Sequence, residues 1–245
     1  MKVTVIGYWG GFPGVKEATS GYLLQHDGFH LLLDCGSGVL AQLQAFINVE
    51  ELDAVLLSHY HHDHVADIGP LQFGRLVKTY LKSNMESLPI YGHALDSDKF
   101  NHLTYKNATT GIAYDPDQTL KIGPFMIEFI ETKHPVTCYA MRITAGDTVV
   151  VYTADTSMFP ELVAFSKGAD LLISECSLYQ EQDGLPMGHM NSVDVGQLAN
   201  DADVSELLLT HLPHYGDHQD LLHQAKEIYH GKIALASTGW TWGCK

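Results

Sequence analysis

The stretch "LLSHYHHDHVAD" (residues 56–67) places four histidines and two aspartates directly behind an apolar run. Protein interiors avoid such a density of titratable groups unless the groups are paired. Its polar skeleton is H-x-H-x-D-H, formed by His59, His61, Asp63 and His64. Alternate residues of an extended segment point the same way, so His59 and His61 can bind one cation. The chain is expected to turn into a helix next, where Asp63 and His64 can face a second cation.

Three or four ligands cannot complete two cation sites, and three other apolar runs offer more. The run "IEFIETKH" ends at His134, "TVVVYTAD" ends at Asp155, and "ELLLTH" ends at His211. Open α/β sheets place their functional sites at the carboxyl ends of their strands. Imidazole and carboxylate ligands without thiolate are typical of zinc, manganese or iron sites. The sequence therefore predicts one shared metal site that uses all of these residues.

The fold class follows from the alternation of strands and helices along the chain. Short runs rich in Val, Ile and Leu predict nine buried strands. Apolar spacing and capping residues predict four helices, at residues 37–47, 70–81, 191–201 and 218–230. Gly231 is expected to cap the last of these helices. Sheets covered by helices are expected, and the absence of a long linker predicts a single domain over residues 1–245.

Composition and charge exclude several classes of protein and of binding partner. The formal net charge is −15 and no basic cluster occurs, which argues against binding of long nucleic acid. The four cysteines form no C-x-x-C pair, so a disulfide framework is not expected. No run of 18 apolar residues is present, so no membrane span is expected. The apolar part of "MKVTVIGYWGG" is too short for a signal peptide, which predicts a cytoplasmic protein.

These motifs, together with Asp34 in "LLLDCGSG", resemble those of the metallo-β-lactamase superfamily along essentially the whole chain. The resemblance implies an α/β fold, the four-layer αβ/βα sandwich, and two divalent metal ions, zinc with Mn²⁺ or Fe²⁺ as alternatives. It implies that His59, His61 and His134 bind one ion. It implies that Asp63, His64 and His211 bind the other and that Asp155 bridges them. Asp34 would orient ligands, or it is simply a turn aspartate before Gly36.

Within that superfamily, the chain is most similar to the ribonuclease Z branch. Asp155 stands where the two-zinc β-lactamases have a cysteine. The segments "YTADTSMFPELVAFSKGADLLISEC", "GHMNSVDVGQLA" and "LLLTHLPHY" resemble segments of the branch. The segment "LPIYGH" (residues 88–93) is similar to a connecting strand of the branch, which implies a tenth strand there. A Glu–His pair assists catalysis there, and Glu175 and His189 match it. The alternative to a catalytic pair is that Glu175 is a capped strand end and His189 is a loop residue. His214 and Tyr215 are candidates for substrate contact.

Two departures argue against transfer RNA as the substrate. Only 20 residues separate His134 from Asp155, which leaves room for a hairpin but not for the arm of the tRNA-maturing members. The segment "FPGVKEATS" also lacks the Arg-Asn of their Pro-x-Lys-x-Arg-Asn motif. The resemblance then implies a phosphodiesterase acting on a small or short phosphodiester, such as a cyclic nucleotide or a short RNA end. Asp63 would act on the attacking water, and His189, backed by Glu175, on the leaving group.

Two other functions stay open at this point. One is hydrolysis of an ester, lactone or thioester, because the same metals can polarise a carbonyl. The other is a non-catalytic regulator that binds metal or nucleotide. The oligomeric state is also open, and the resemblance allows a homodimer.

Overall fold

The computed structural model describes residues 1–81 and 85–243. The chain divides into two compact units, each built around one seven-stranded sheet. Unit 1 contains residues 1–115, 122–124 and 237 onward, and unit 2 contains residues 116–121 and 125–236. The single domain over residues 1–245 stays a prediction.

The sheet of unit 1 has the strand order β14-β1-β2-β3-β4-β5-β6. Its strands are β1 (Lys2–Gly7), β2 (Gly21–His26), β3 (Phe29–Leu33), β4 (Ala54–Leu56), β5 (Leu88–Gly92), β6 (Thr109–Ala113) and β14 (Thr241–Gly243). The pairs from β14 to β3 are antiparallel, and those from β3 to β6 are parallel. Its helices are α1 (Val39–Leu43), α2 (His62–Val65), α3 (Ile68–Leu81) and α4 (Ser97–Asn101). A buried apolar core, including Leu32, Val55 and Leu71, holds helices and sheet together.

The sheet of unit 2 has the order β13-β12-β11-β10-β9-β8-β7. Its strands are β7 (Leu120–Ile122), β8 (Phe125–Glu131), β9 (Tyr139–Ala145), β10 (Thr148–Tyr152), β11 (Leu171–Glu175), β12 (Glu206–Thr210) and β13 (Lys232–Leu235). The strands from β8 to β10 pair antiparallel, and those from β10 to β13 pair parallel. The parallel strands are joined by α5 (Pro160–Ser166), α6 (Ser192–Asp201) and α7 (His218–Lys226). Both sheets thus change from antiparallel to parallel pairing, and in both the parallel half is connected through helices.

Several predicted elements are confirmed and some boundaries are wrong. Each of the ten predicted strands is found, but β13 is only partly buried because it lies at the edge of its sheet. Helix α6 matches its prediction, with Asn191 forming the capping box. The predicted helix 37–47 is α1, which ends at Leu43. The predicted helix 218–230 ends at Lys226, so Gly231 does not cap it. The chain leaves that helix and buries Tyr229, whose hydroxyl donates to the Val204 carbonyl at 2.9 Å.

Among the described residues, no helix has both the length and the apolar character that crossing a membrane requires. The cytoplasmic location stays a prediction.

Candidate metal centre

In unit 1 the H-x-H-x-D-H motif lies where β4 ends and α2 begins. His61 is the extended residue that precedes α2, and Asp63 and His64 lie within the helix. The His59 ring centroid is 4.8 Å from that of His61 and 4.1 Å from that of His64. The expected change from extended chain to helix is therefore found, and it brings the three imidazoles together.

Asp34 supports this cluster from the end of β3. Its buried carboxylate accepts bonds from the Ser58 amide through Oδ1, and from the Ser58 hydroxyl and His64 Nδ1 through Oδ2, each at 2.8 Å. Carboxylates only accept hydrogen bonds, so the His64 proton is on Nδ1. A ring in this tautomer can offer only Nε2 as a ligand atom. Asp34 is thus more than a turn residue, because it sets the tautomer of a candidate ligand.

Asp63 is held by the loop that follows β1. The Gly11 amide donates to its Oδ2 at 2.8 Å, and the same oxygen is 3.7 Å from His64 Nε2. This amide orients the carboxylate beside the imidazole.

In unit 2 three strand ends bring His134, Asp155 and His211 together. Asp155 Oδ2 is 3.4 Å from His211 Nε2 and 3.9 Å from His134 Nε2. His134 Nδ1 is 3.0 Å from the Gly188 carbonyl, which can only accept, so this ring also offers Nε2. Asp155 and His211 are buried. The carboxylate and two imidazoles thus present ligand atoms to a common point.

The turns out of these strands are conformationally demanding. Asp34, Ala154 and His211 have φ values of 53°, 49° and 52°. Left-handed backbone is uncommon for residues with a Cβ atom, and such positions cluster at functional sites. The sharp turns place Asp34, Asp155 and His211 directly at the carboxyl ends of β3, β10 and β12.

Glu175 and His189 form a direct pair in unit 2. Glu175, 1% exposed at the end of β11, accepts from His189 Nδ1 at 2.9 Å through Oε1. The Thr156 amide donates to the same oxygen at 2.7 Å. Ser177 Oγ and the Met190 amide donate to Oε2 at 2.7 and 3.3 Å. A carboxylate with four donors acts as an acceptor and not as a cation ligand, although one of its oxygens lies within 4.8 Å of nitrogens of His189 and His211.

The His189 ring stays accessible, with 23% of its side chain exposed. It stacks on the His211 ring at a centroid distance of 5.5 Å and meets the His134 ring edge-on at 5.3 Å. The pair predicted from sequence is therefore adjacent to the candidate ligands of unit 2.

Two serines were missed by sequence reasoning. Ser58 Oγ is 3.0 Å from His59 Nδ1, and Ser177 Oγ is 2.8 Å from His211 Nδ1. The signals were present as the Ser before His59 and the Glu-x-Ser in "ISECS". Serine is too common near strand ends for either to be singled out.

His214 and Tyr215 are exposed, and the Tyr215 hydroxyl donates to Gln182 Oε1 at 3.0 Å, so their contact with substrate stays a prediction.

The donor chemistry of both units fits divalent cations. Unit 1 supplies three imidazoles and a carboxylate, and unit 2 supplies two imidazoles and a carboxylate. In four of the five rings, Nδ1 lies 2.8 to 3.0 Å from an oxygen atom of the protein, at hydrogen-bond distance. Metal-binding histidines commonly have such a partner on the nitrogen that does not bind the metal. Neither set includes a thiolate, which favours zinc, manganese or iron.

The fold and these motifs define the class of the protein. Residues 30–212 match the family described as the Beta-lactamase superfamily domain, and the chain belongs to that family. It is 57% identical over 242 residues to the probable metallo-hydrolase YhfI of Bacillus subtilis (strain 168), with 99% of each chain covered. The crystal structure of that metallo-β-lactamase-fold protein matches with a TM-score of 0.97 and 56% identity, over 98% of both chains. The predicted α/β sandwich class is therefore confirmed.

More distant structures share the fold. The short form of human tRNase Z matches with a TM-score of 0.77 and 18% identity over 99% of both chains. A diphosphatase of the PhnP family matches with a TM-score of 0.77 and 17% identity, over 100% of this chain and 98% of that one. At these identities the similarity shows the fold alone.

Proposed function

We propose that the protein is a dinuclear metal-dependent phosphodiesterase acting on small or short phosphodiesters. The observation that carries this proposal is the Glu175–His189 pair, a buried carboxylate bonded to an accessible imidazole beside His134 and His211. Carbonyl hydrolysis has less need of such a pair, because its oxyanion is stabilised by the cations themselves. Departure of an alkoxide from phosphorus gains directly from a positioned acid.

The proposed metal ligands are the residues that the family resemblance implies. His59, His61 and His134 would hold one ion, Asp63, His64 and His211 would hold the other, and Asp155 would contribute to both. Zinc is the expected metal, with manganese or iron as alternatives. Family membership and the order of the ligand motifs along the chain support this assignment. When bound, two such cations lower the pKa of water and neutralise charge on the phosphoryl oxygens.

The chain's own groups then move the protons. Asp63, oriented by the Gly11 amide, accepts a proton from the attacking water. His189 keeps Nδ1 on Glu175, so Nε2 is the atom that gives its proton to the leaving oxygen. Glu175 favours the imidazolium, because a buried negative charge stabilises a positive charge at hydrogen-bond distance. The two residues thus divide the roles of base and acid.

Several features support a small substrate. Between His134 and Asp155 the chain forms only the hairpin of β9 and β10, as the spacing predicted. The net charge of −15 opposes a long polyanion. We propose a cyclic nucleotide or a short RNA end rather than transfer RNA.

The test is hydrolysis of bis-p-nitrophenyl phosphate by protein loaded with zinc or manganese. His189→Ala is expected to lower kcat by a factor of about 10² to 10⁴, the usual contribution of a general acid, with metal content unchanged. His223→Ala, an exposed histidine of α7, is the matched control and should keep full activity. Loss of metal from His189→Ala would contradict the role assigned to it.

Two outcomes would replace the proposal by the other functions. Turnover of a lactone or thioester without turnover of the phosphodiester would indicate a carboxylic ester hydrolase. Tight nucleotide binding by the metal-loaded protein without turnover of any of these substrates would indicate a regulator.

A further inference from the structure

The two units carry the same arrangement of a carboxylate, a serine and two histidines. In unit 1 Asp34 bonds directly to His64 and, through Ser58, reaches His59. In unit 2 Glu175 bonds directly to His189. Ser177 Oγ lies 2.7 Å from Glu175 Oε2 and 2.8 Å from His211 Nδ1. In each unit, one buried carboxylate thus contacts one imidazole directly and a second one through a hydroxyl.

Counting protons gives the direction of the bonds at Ser177. A hydroxyl has one proton to donate, and a carboxylate can only accept. Ser177 Oγ also lies 3.2 Å from the His211 carbonyl, a longer contact to a neutral acceptor. Bonds to ionised acceptors are shorter and stronger, so the hydroxyl proton goes to Glu175. Ser177 Oγ then accepts from His211, whose proton must be on Nδ1.

We propose that Ser177 is a positioning residue that transmits the charge of Glu175 to His211 and fixes its Nδ1–H tautomer. Glu175 then orients two histidines of unit 2, His189 directly and His211 through the serine. The fixed tautomer presents His211 Nε2 towards Asp155, 3.4 Å away. The consequence for metal affinity rests on the proposed metal centre, whereas the tautomer itself does not.

The chain offers a matched control for a purely structural role. Ser174 lies in β11, is fully buried, and its hydroxyl donates to the Glu175 backbone carbonyl at 3.1 Å. Replacing it by alanine removes a hydroxyl three residues before Ser177 in the chain without touching either histidine. Ser177→Thr keeps a hydroxyl and is the conservative rescue.

The first experiment reads the tautomer in metal-free protein. Histidine labelled with ¹⁵N is observed by long-range ¹H–¹⁵N correlation at about pH 8, where a histidine of ordinary pKa is neutral. The wild type, Ser177→Thr and Ser174→Ala should show His211 with its proton on Nδ1. Ser177→Ala should show a mixture in which the Nε2–H form is substantial. An unchanged His211 tautomer in Ser177→Ala would overturn the proposal, and so would the same change in Ser174→Ala.

The second experiment measures zinc affinity by competition with a chromophoric chelator. Ser177→Ala should bind zinc about 10-fold more weakly, the lower end of the range for partners of metal ligands. Ser177→Thr and Ser174→Ala should bind as the wild type does. Equal affinity of wild type and Ser177→Ala would overturn the link to the metal. If the wild type bound no zinc, the proposed function would fail, and the tautomer result would still decide the role of Ser177.

Discussion

Replacement of Glu175 by glutamine changes one heavy atom in a buried side chain that accepts four hydrogen bonds. The carboxylate accepts from the Thr156 amide and His189 through one oxygen, and from Ser177 and the Met190 amide through the other. A glutamine side chain has one oxygen and one NH₂ group. Whichever way it is oriented, the NH₂ group faces one backbone amide, which loses its acceptor, and either His189 or Ser177, which no longer donates to a charged oxygen.

The magnitude follows from these two lost bonds. A hydrogen bond to a charged group contributes about 1.5–3 kcal/mol, so two contribute about 3–6 kcal/mol. Removing the buried charge offsets part of this loss, since an ionised group in the interior is itself unfavourable. We expect the free energy of unfolding of Glu175→Gln to be lower than that of the wild type by about 3 kcal/mol.

The assay is urea unfolding of metal-free protein at neutral pH, followed by circular dichroism. Glu161→Gln is the control, because Glu161 is exposed in the first turn of α5 and its replacement should change stability by less than about 0.5 kcal/mol. A loss of less than about 1 kcal/mol for Glu175→Gln would refute the reasoning. The four contacts would then not stabilise the fold as their geometry indicates.

Three further predictions concern pH, packing and metal. Burial raises the pKa of the Cys176 thiol above its ordinary value of 9.0, so the unfolded chain loses this proton first. The free energy of unfolding should therefore fall as the pH rises above 9.0. In urea titrations, Cys176→Ala should make the slope of this free energy against pH shallower by about 1.4 kcal/mol per pH unit. An unchanged slope would contradict this prediction. Gly36→Ala should destabilise the protein by at least about 3 kcal/mol, because its Cβ would lie 1.9 Å from the Asp63 carbonyl oxygen. Gly69→Ala is the control, since Gly69 faces open space on α3. In the same assay it should be neutral or stabilising by up to about 1 kcal/mol. Removing metal with a chelator should lower the Tm measured by calorimetry, since a ligand that binds only the folded state stabilises it, and an unchanged Tm would count against a bound metal.

The sequence predicted the strands and the candidate ligands because both follow local rules. Runs of Val, Ile and Leu predict buried strands wherever they occur. His134, Asp155 and His211 are polar residues at the ends of such runs, which is where α/β sheets carry their sites. In unit 2 the structure brings these three together, as expected.

What the sequence did not predict depends on contacts between distant residues. Helix α7 ends at Lys226 because Tyr229 is buried against Val204, a contact across 25 residues. The role of Ser177 appears only when its hydroxyl is seen between Glu175 and His211. No local pattern contains that information, because a serine at a strand end is equally compatible with a turn or a cap.

The central claim is that the proposed ligands hold two cations, with His61 and His134 on the same one, and metal stoichiometry tests it most directly. Protein dialysed against excess zinc that is buffered by a weak chelator is analysed for bound metal. The account predicts two zinc ions for the wild type and one for His61→Ala. It predicts one for His134→Ala and still one for the double variant, because both side chains bind the same ion. A double variant that holds no zinc, or a wild type that binds none, would contradict it.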